Sequence, residues 1–167
     1  MDKSAQSHVR SHIAITNAIT RIINNKRHID QAIKASTSEK DPVKLITAIV
    51  TGTMRNYERL EKWANRHTKF KPKDQQLKYL IMSSLFQIKH MDSGTTNTII
   101  YSAAATTPAI NRAWAKNVVY AALKRACKEA EPEVNNMPKW LEQKILTRFG
   151  HQGVTTCHQA WTHQPEH

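Results

Sequence analysis

Apolar residues recur every three or four positions along most of this 167-residue chain, and polar residues fill the positions between them. This spacing is typical of amphipathic helices, and no segment alternates apolar and polar residues strictly enough to predict a half-buried strand. The pattern therefore predicts an all-α fold. The first predicted helix covers residues 7–24, and a short second helix follows the polar sequence NNKRH.

A long helix is predicted over residues 42–67, because Asp41 is a good N-cap and Pro42 suits the first helical position. Gly52 lies inside this helix, where a glycine costs about 1 kcal/mol relative to alanine. Its presence indicates either a close approach by a neighbouring helix or a local bend. The next segment, residues 77–88, is apolar nearly all round, which predicts the central, buried helix.

The C-terminal part of the chain is also predicted to be helical. The three helices predicted there cover residues 95–108, 109–130 and 139–149. The apolar spacing of the second of these assigns Trp114 to its buried face. Gly150 suits the C-cap of the last helix. Residues 151–167 show no clear period, so the sequence predicts a loosely ordered tail.

The chain is strongly basic, with 25 Lys and Arg residues against 13 Asp and Glu residues and a formal net charge of +12. Residues 51–73 and residues 109–128 each carry a net charge of +5, so two short windows hold most of the excess. The positive electrostatic field of these charges favours an anionic partner, and nucleic acid is the usual one. An acidic membrane surface or an acidic protein remains an alternative.

Other features of the composition narrow the function classes. Cys127 and Cys157 allow one disulfide at most, which indicates reduced thiols in a cytoplasmic protein. No apolar run approaches the ~20 residues of a transmembrane helix, and the N-terminus has no signal-peptide core. His8 and His12 lack an acidic or thiolate companion, and a histidine-rich tail usually chelates metal adventitiously, so we predict no metal site.

Several segments resemble one known family. The sequence LITAIVTGTMRNYERL resembles a signature of the NusB-like fold, in the version that forms the N-terminal domain of the RsmB/Sun family of ribosomal RNA 5-methylcytosine methyltransferases. The resemblance continues through VRSHIAITNAITRII, KPKDQQLKYLIMSSLFQIKHMDSG and VVYAALKR, and it covers residues 9–150. Tyr120, Lys124 and Ala48 depart from the family pattern, which has Asn, Arg and an acidic residue at these positions.

The sequence MPKWLEQKILTRFG is similar to the element that begins the linker into the catalytic domain of those enzymes. The resemblance thus implies a bundle of two packed three-helix units over residues 1–136, then a linker helix and tail over residues 137–167. It further implies a non-catalytic domain that recognises ribosomal RNA for a catalytic domain joined in cis. S-adenosylmethionine would belong to that full-length parent.

We expect no enzyme activity and no cofactor in this chain itself. It contains four glycines and no G-x-G-x-x-G motif, and no strand–loop–helix unit for a nucleotide cofactor can be recognised. Cys157 follows a threonine, as a cysteine does in the family's catalytic domain, but only ten residues come after it. Nothing in so short a segment supplies a cofactor site or a base.

The basic residues are the predicted RNA contacts. Arg55, Arg59, Lys62 and Arg66 recur at spacings of four, three and four, which predicts one basic stripe on the solvent face of the helix. Phe70, in the loop that follows, is predicted to be free to stack on a base. The full set of predicted phosphate contacts is Arg10, Arg55, Arg59, Lys62, Arg66, Lys69 and Lys71, with a second patch of Arg112, Lys116, Lys124 and Arg125.

Two other functions stay open at this point. A transcription antitermination factor of the NusB type would bind a short RNA element together with a small ribosomal protein. A protein-docking domain would tie Arg55 into internal salt bridges, turn its basic faces toward an acidic protein surface and make no RNA contact.

Overall fold

The computed structural model describes residues 2–133 and 139–162, and every regular element in those residues is helical, so the predicted all-α class is confirmed. The α-helices there are α1 (Lys3–Ile23), α2 (Ile29–Ser36), α3 (Val43–Arg55), α4 (Tyr57–His67), α5 (Gln75–His90), α6 (Thr96–Thr106), α7 (Lys116–Ala126) and α8 (Lys139–Thr162). Short 3₁₀ turns lie at Pro72–Asp74, Thr107–Ile110 and Ala113–Ala115. Within the described residues, no helix is both long and apolar enough to cross a bilayer.

Helix α5 lies at the centre of the bundle, as its apolar circumference predicts. All residues from Leu77 to Gln87 are buried, and the helix packs against α1, α3, α4, α6 and α7. Trp63 of α4 and Ile19 of α1 belong to the same core and are fully buried. Each large apolar side chain that leaves water in this way contributes about 1.5–3 kcal/mol. The core therefore fixes the helices that position the charged surface.

Gly52 lies at the contact between α3 and α5. A Cβ atom at this position would lie 2.0 Å from Cζ of Phe86, which is far closer than two carbon atoms approach without a bond. Because glycine has no Cβ, the ring of Phe86 can lie directly against the backbone of α3. Close helix approach, one of the two explanations that the sequence allowed, therefore accounts for this glycine.

The prediction of a single helix over residues 42–67 is wrong, because the chain kinks at Asn56. This residue has φ −105° and ψ 24°, outside the helical range, and it separates α3 from α4. The side-chain Nδ2 of Asn56 donates to the carbonyl of Gly52 at 2.9 Å, the acceptor that its own backbone N–H also uses. Short polar side chains that compete for backbone groups favour helix ends. The basic stripe is consequently divided between two helices.

Helix α8 consists of two helical segments that meet at Gly150, where φ is +72° and ψ is −172°. Glycine adopts a positive φ at little cost, so the predicted helix end at this residue is confirmed. The chain is helical again over residues 151–162, and the predicted loose tail is wrong for that part. No glycine or proline interrupts the chain between Gly153 and Pro165, so a second helical segment can form despite the weak period.

Two sequence predictions concern residues outside the described ranges. The domain boundary predicted between residues 136 and 137 is one of them, and the end of the predicted tail, residues 163–167, is the other. Within the described part, the core is built from residues of α1 to α7 and the turns between them, and none of its members belongs to α8.

Candidate nucleic-acid interface

Two cations of the predicted stripe, Lys62 and Arg66, are exposed on α4. They share a shallow depression with Glu58 and Glu61, so acids and bases are mixed on this surface. Glu61 also forms an ion pair with Lys78 of α5, whose Nζ lies 2.7 Å from Oε1 of Glu61. The α4 face, as we call it, comprises Glu58, Glu61, Lys62, Asn65 and Arg66. Opposite charges at such short range weaken the field that a phosphate would meet.

Arg59 does not lie on a solvent-exposed stripe, and that part of the prediction is wrong. Its side chain is only 19% exposed, and its Nη1 lies 3.8 Å from Oε1 of Glu131. The chain returns after α7 and brings the segment that carries Glu131 close to Arg59 on α4. Arg59 is therefore mostly shielded from solvent and forms an ion pair with Glu131.

Glu131 is the centre of a small ionic cluster. Nε2 of His90 donates to its two carboxylate oxygens at 3.0 and 3.1 Å. Burial raises the pKa of Glu131, but the hydrogen bond and charge of His90, together with Arg59 and Lys89, outweigh burial and hold the pKa below its ordinary value. Arg55, at the end of α3, is half-buried and forms no ion pair within the described residues.

The loop between α4 and α5 carries three exposed lysines at alternating positions: Lys69, Lys71 and Lys73. The only acid of the loop, Asp74, is buried, and its Oδ1 accepts a hydrogen bond from Nε of Arg112 at 2.8 Å. Nη2 of Arg112 also donates to the carbonyl of Lys73 at 2.7 Å. Arg112 thus pairs with the one carboxylate of the loop, and none of the three lysines forms an ion pair within the described residues. Glu129, after α7, lies 3.1 Å from Nε2 of His67 at the start of the loop.

The second cationic window of the sequence meets this loop at both of its ends. Arg112 binds the C-terminal end of the loop, as described above. Nη2 of Arg125, on α7, donates to the carbonyl of His67 at 3.2 Å, where the loop begins. The two arginines thus connect the second cationic window to both ends of the lysine loop.

Trp114 lies beside the loop lysines, and the prediction that it is buried is wrong. It is 63% exposed, and it lines a depression of about 360 Å³ together with Lys71, Lys73, Asp74 and Arg112. We define the loop surface as Lys69, Lys71, Lys73, Arg112, Trp114 and Arg125. Neither Lys73 nor Trp114 was among the residues predicted to contact a ligand.

The error at Trp114 arose because the helix predicted over residues 109–130 starts only at Lys116. Asn111 has φ +58°, in the left-handed region that asparagine tolerates, and it turns the chain before α7. The backbone N–H of Arg112 then donates to the carbonyl of Thr107 at 2.9 Å. Trp114 is therefore out of register with the apolar face of α7. An asparagine shortly after a proline is the sequence signal that could have revealed the turn.

A larger groove of about 660 Å³ lies between α1, α6 and α7. Lys116 lines it beside Tyr101 and Tyr120, whose ring centroids are 5.3 Å apart. Lys124 is already engaged, because its Nζ donates to Oδ1 of Asn97 at 2.7 Å and lies 5.7 Å from the ring centroid of Tyr120. In this second predicted patch, Lys116 is thus the more available charge for a phosphate.

Two more predicted contacts are occupied within the domain. Arg10 is exposed, but its Nη2 lies 2.9 Å from Oδ1 of Asp41. The backbone N–H of Ser38 and the charge of Arg10 together lower the pKa of Asp41. Phe70, predicted to be free in its loop, is instead partly buried against the core, because packing its ring there removes apolar surface from water.

Two titratable side chains, His12 and Cys127, are buried or partly buried in the bundle. Burial lowers the pKa of His12 to about 4, so this side chain is neutral near pH 7, and its Nε2 is hydrogen-bonded to Oγ of Ser102 at 2.9 Å. Burial also raises the pKa of the Cys127 thiol, despite the nearby charges of Lys89 and Lys124. In the part of the chain that the structure describes, no three His, Cys, Asp or Glu side chains are grouped to hold a metal ion.

The sequence profile of the NusB family matches residues 10–128, which include both cationic windows and helices α2 to α7 in full. The chain belongs to the NusB family. Domains of the NusB family bind RNA, and their fold is all-α. No curated protein matches the chain. The NusB match ends shortly after α7, so α8 lies outside it.

Proposed function

We propose that this NusB family domain binds RNA, with the loop surface as its main contact. The observation that carries the proposal is the set of three exposed lysines, Lys69, Lys71 and Lys73, beside a carboxylate that Arg112 neutralises. Lysines on phosphates supply affinity that does not depend on base sequence. Lys116, at the edge of the tyrosine-lined groove, extends the basic surface along α7. The α4 face contributes less, because Glu58, which forms no ion pair within the described residues, offsets part of its positive charge.

We further propose that the RNA is ribosomal and that the domain holds it for a cytosine-C5 methyltransferase of the RsmB type. The support is the sequence MPKWLEQKILTRFG, which resembles the linker element of those enzymes and includes the first segment of α8. In this proposal the catalytic domain is joined in cis and binds S-adenosylmethionine, while the present residues only hold the RNA. Methyl transfer by this chain alone, from labelled S-adenosylmethionine to RNA, would overturn the non-catalytic assignment.

The test is the fluorescence anisotropy of the chain with a labelled small-subunit rRNA hairpin, across a series of salt concentrations. We expect log K to fall linearly with log salt, with a slope of about −0.7 for each phosphate contacted on a single strand. A scrambled RNA of the same length is the control, and we expect it to bind more weakly.

Each outcome separates the candidate functions. Equal binding to both RNAs would contradict ribosomal specificity and leave RNA binding in place. A strong increase in affinity on adding a small ribosomal protein would favour antitermination over methyltransferase support. An absence of binding at low salt would contradict the RNA-binding function and favour a domain that docks an acidic protein.

A further inference from the structure

We infer that Trp114 stacks on an unpaired base of the bound RNA while Lys71 and Lys73 hold the adjoining phosphates. The inference rests on the proposed RNA-binding function and specifies which RNA the loop surface selects. That RNA is a single strand, or a loop whose bases are not paired, because a base inside a duplex has no free face for an indole ring.

The backbone around Trp114 is held in place on both sides. Arg112, two residues before it, is bonded to Asp74 and to the carbonyl of Lys73. Ala115, directly after it, is fully buried, and its N–H donates to the carbonyl of Arg112 at 2.9 Å. The indole ring is thus presented to solvent by an anchored turn. The exposure of the ring is therefore a consequence of the hydrogen-bonded backbone on either side of it.

An exposed, anchored tryptophan is informative because the ring gives up the free energy of burial that the core offers. A partner that covers the ring would recover part of that free energy. The neighbours of Trp114 in its depression identify the chemistry of this partner. Lys71 and Lys73 are both exposed, and the carboxylate of Asp74 is already neutralised by Arg112.

These neighbours favour a nucleotide over an apolar protein segment. An apolar segment on Trp114 would take two lysine charges out of water without a counter-charge, which is costly. A nucleotide supplies both complements at once, since its base covers the ring and its phosphates pair with the lysines. Stacking of a base on an aromatic side chain tolerates any base, so this contact selects unpaired RNA and not a particular sequence.

Trp140 of α8 provides a matched control. It is 64% exposed, and Nζ of Lys144 lies 5.7 Å from its ring centroid, so it resembles Trp114 in exposure and in having a lysine nearby. It does not line the depression beside the loop lysines. A general effect of removing an exposed tryptophan would appear equally in Trp114→Ala and Trp140→Ala.

The experiment compares a labelled, unstructured RNA oligonucleotide with an abasic oligonucleotide of the same length and charge. Anisotropy is measured for the wild-type chain and for Trp114→Ala, Trp114→Phe and Trp140→Ala. We expect Trp114→Ala to weaken binding of the RNA by about 5- to 100-fold and to leave binding of the abasic strand unchanged. Trp114→Phe should lose less affinity, and Trp140→Ala should remain within about twofold of wild type. The slope of log K against log salt should not change, because indole carries no charge.

Three results would overturn the inference, and they can be told apart. If the wild-type chain binds RNA and Trp114→Ala binds it equally well, the stacking contact is wrong and the RNA-binding function stands. If Trp114→Ala loses affinity for both strands to the same extent, the ring supports the lysines and does not contact a base. If the wild-type chain binds neither strand at low salt, the proposed function itself fails.

Discussion

The α4 face and the loop surface are both rich in cations, but they differ in the acids that accompany those cations. On the α4 face, Lys62 and Arg66 share a depression with Glu61, which is paired with Lys78, and with Glu58, which forms no ion pair within the described residues. On the loop surface, the one acid of the loop is buried and bound to an arginine, and none of the three lysines forms an ion pair within the described residues. A similar density of basic residues therefore produces a weaker field in one region than in the other. The pairing of each acid, and not the count of bases, decides which surface attracts a phosphate.

The largest expected effect comes from breaking the arrangement that neutralises Asp74. Arg112→Ala would leave a buried carboxylate without its partner, and we expect the free energy of unfolding to fall by about 3 kcal/mol. Urea denaturation measures this change. The double variant Asp74→Asn/Arg112→Ala removes the uncompensated charge and should be more stable than Arg112→Ala alone. A double variant that is no more stable would show that Arg112 acts through packing and not through its charge.

The comparison of the two surfaces is tested directly by matched charge reversals. Lys71→Glu/Lys73→Glu and Lys62→Glu/Arg66→Glu change the net charge equally, but we expect the first to weaken RNA binding by about 30-fold and the second by about threefold or less. The salt slope should become shallower by about 1.4 in the first variant only, for two lost phosphate contacts. Equal losses in the two variants would mean that RNA senses only the total charge of the domain.

Arg59 tests the comparison further. The sequence assigns it to the same basic stripe as Arg66, but in the structure it pairs with Glu131. Arg59→Glu would place a second carboxylate beside Glu131, and we expect it to lower the free energy of unfolding by about 1–2 kcal/mol. Arg66→Glu, on the exposed α4 face, should stay within about 0.5 kcal/mol of wild type. Thermal denaturation of the two variants distinguishes them. Similar melting temperatures would place Arg59 among the solvent-facing cations after all.

The smallest effect concerns the pH dependence of stability. The pKa of Glu131 is lowered in the folded state, so its contribution is present above the ordinary carboxyl pKa and is lost as the pH falls through the folded value. We expect Glu131→Gln to lose less stability than wild type on acidification, by about 1 kcal/mol or less. Parallel profiles for wild type and Glu131→Gln would contradict the cluster.

The sequence by itself determined the class of fold and its central helix. Period 3.6 is a local property, and a helix that is apolar nearly all round can only be buried, so α5 was placed correctly from its own residues. Gly150 ended its helix for a reason that is also local, because glycine adopts a positive φ at little cost. The basic character of both windows followed from composition alone.

Only the tertiary structure decided which cations are free. Arg112 and Asp74 are 38 positions apart, and Arg59 meets Glu131 across an even longer stretch of chain, so no sequence window contains both partners of either pair. The exposure of Trp114 also depends on how the turn before α7 sits against the loop that carries Asp74. A helical period is set by neighbouring residues, whereas the availability of a charge is set by whichever residue the fold brings to within about 4 Å of it.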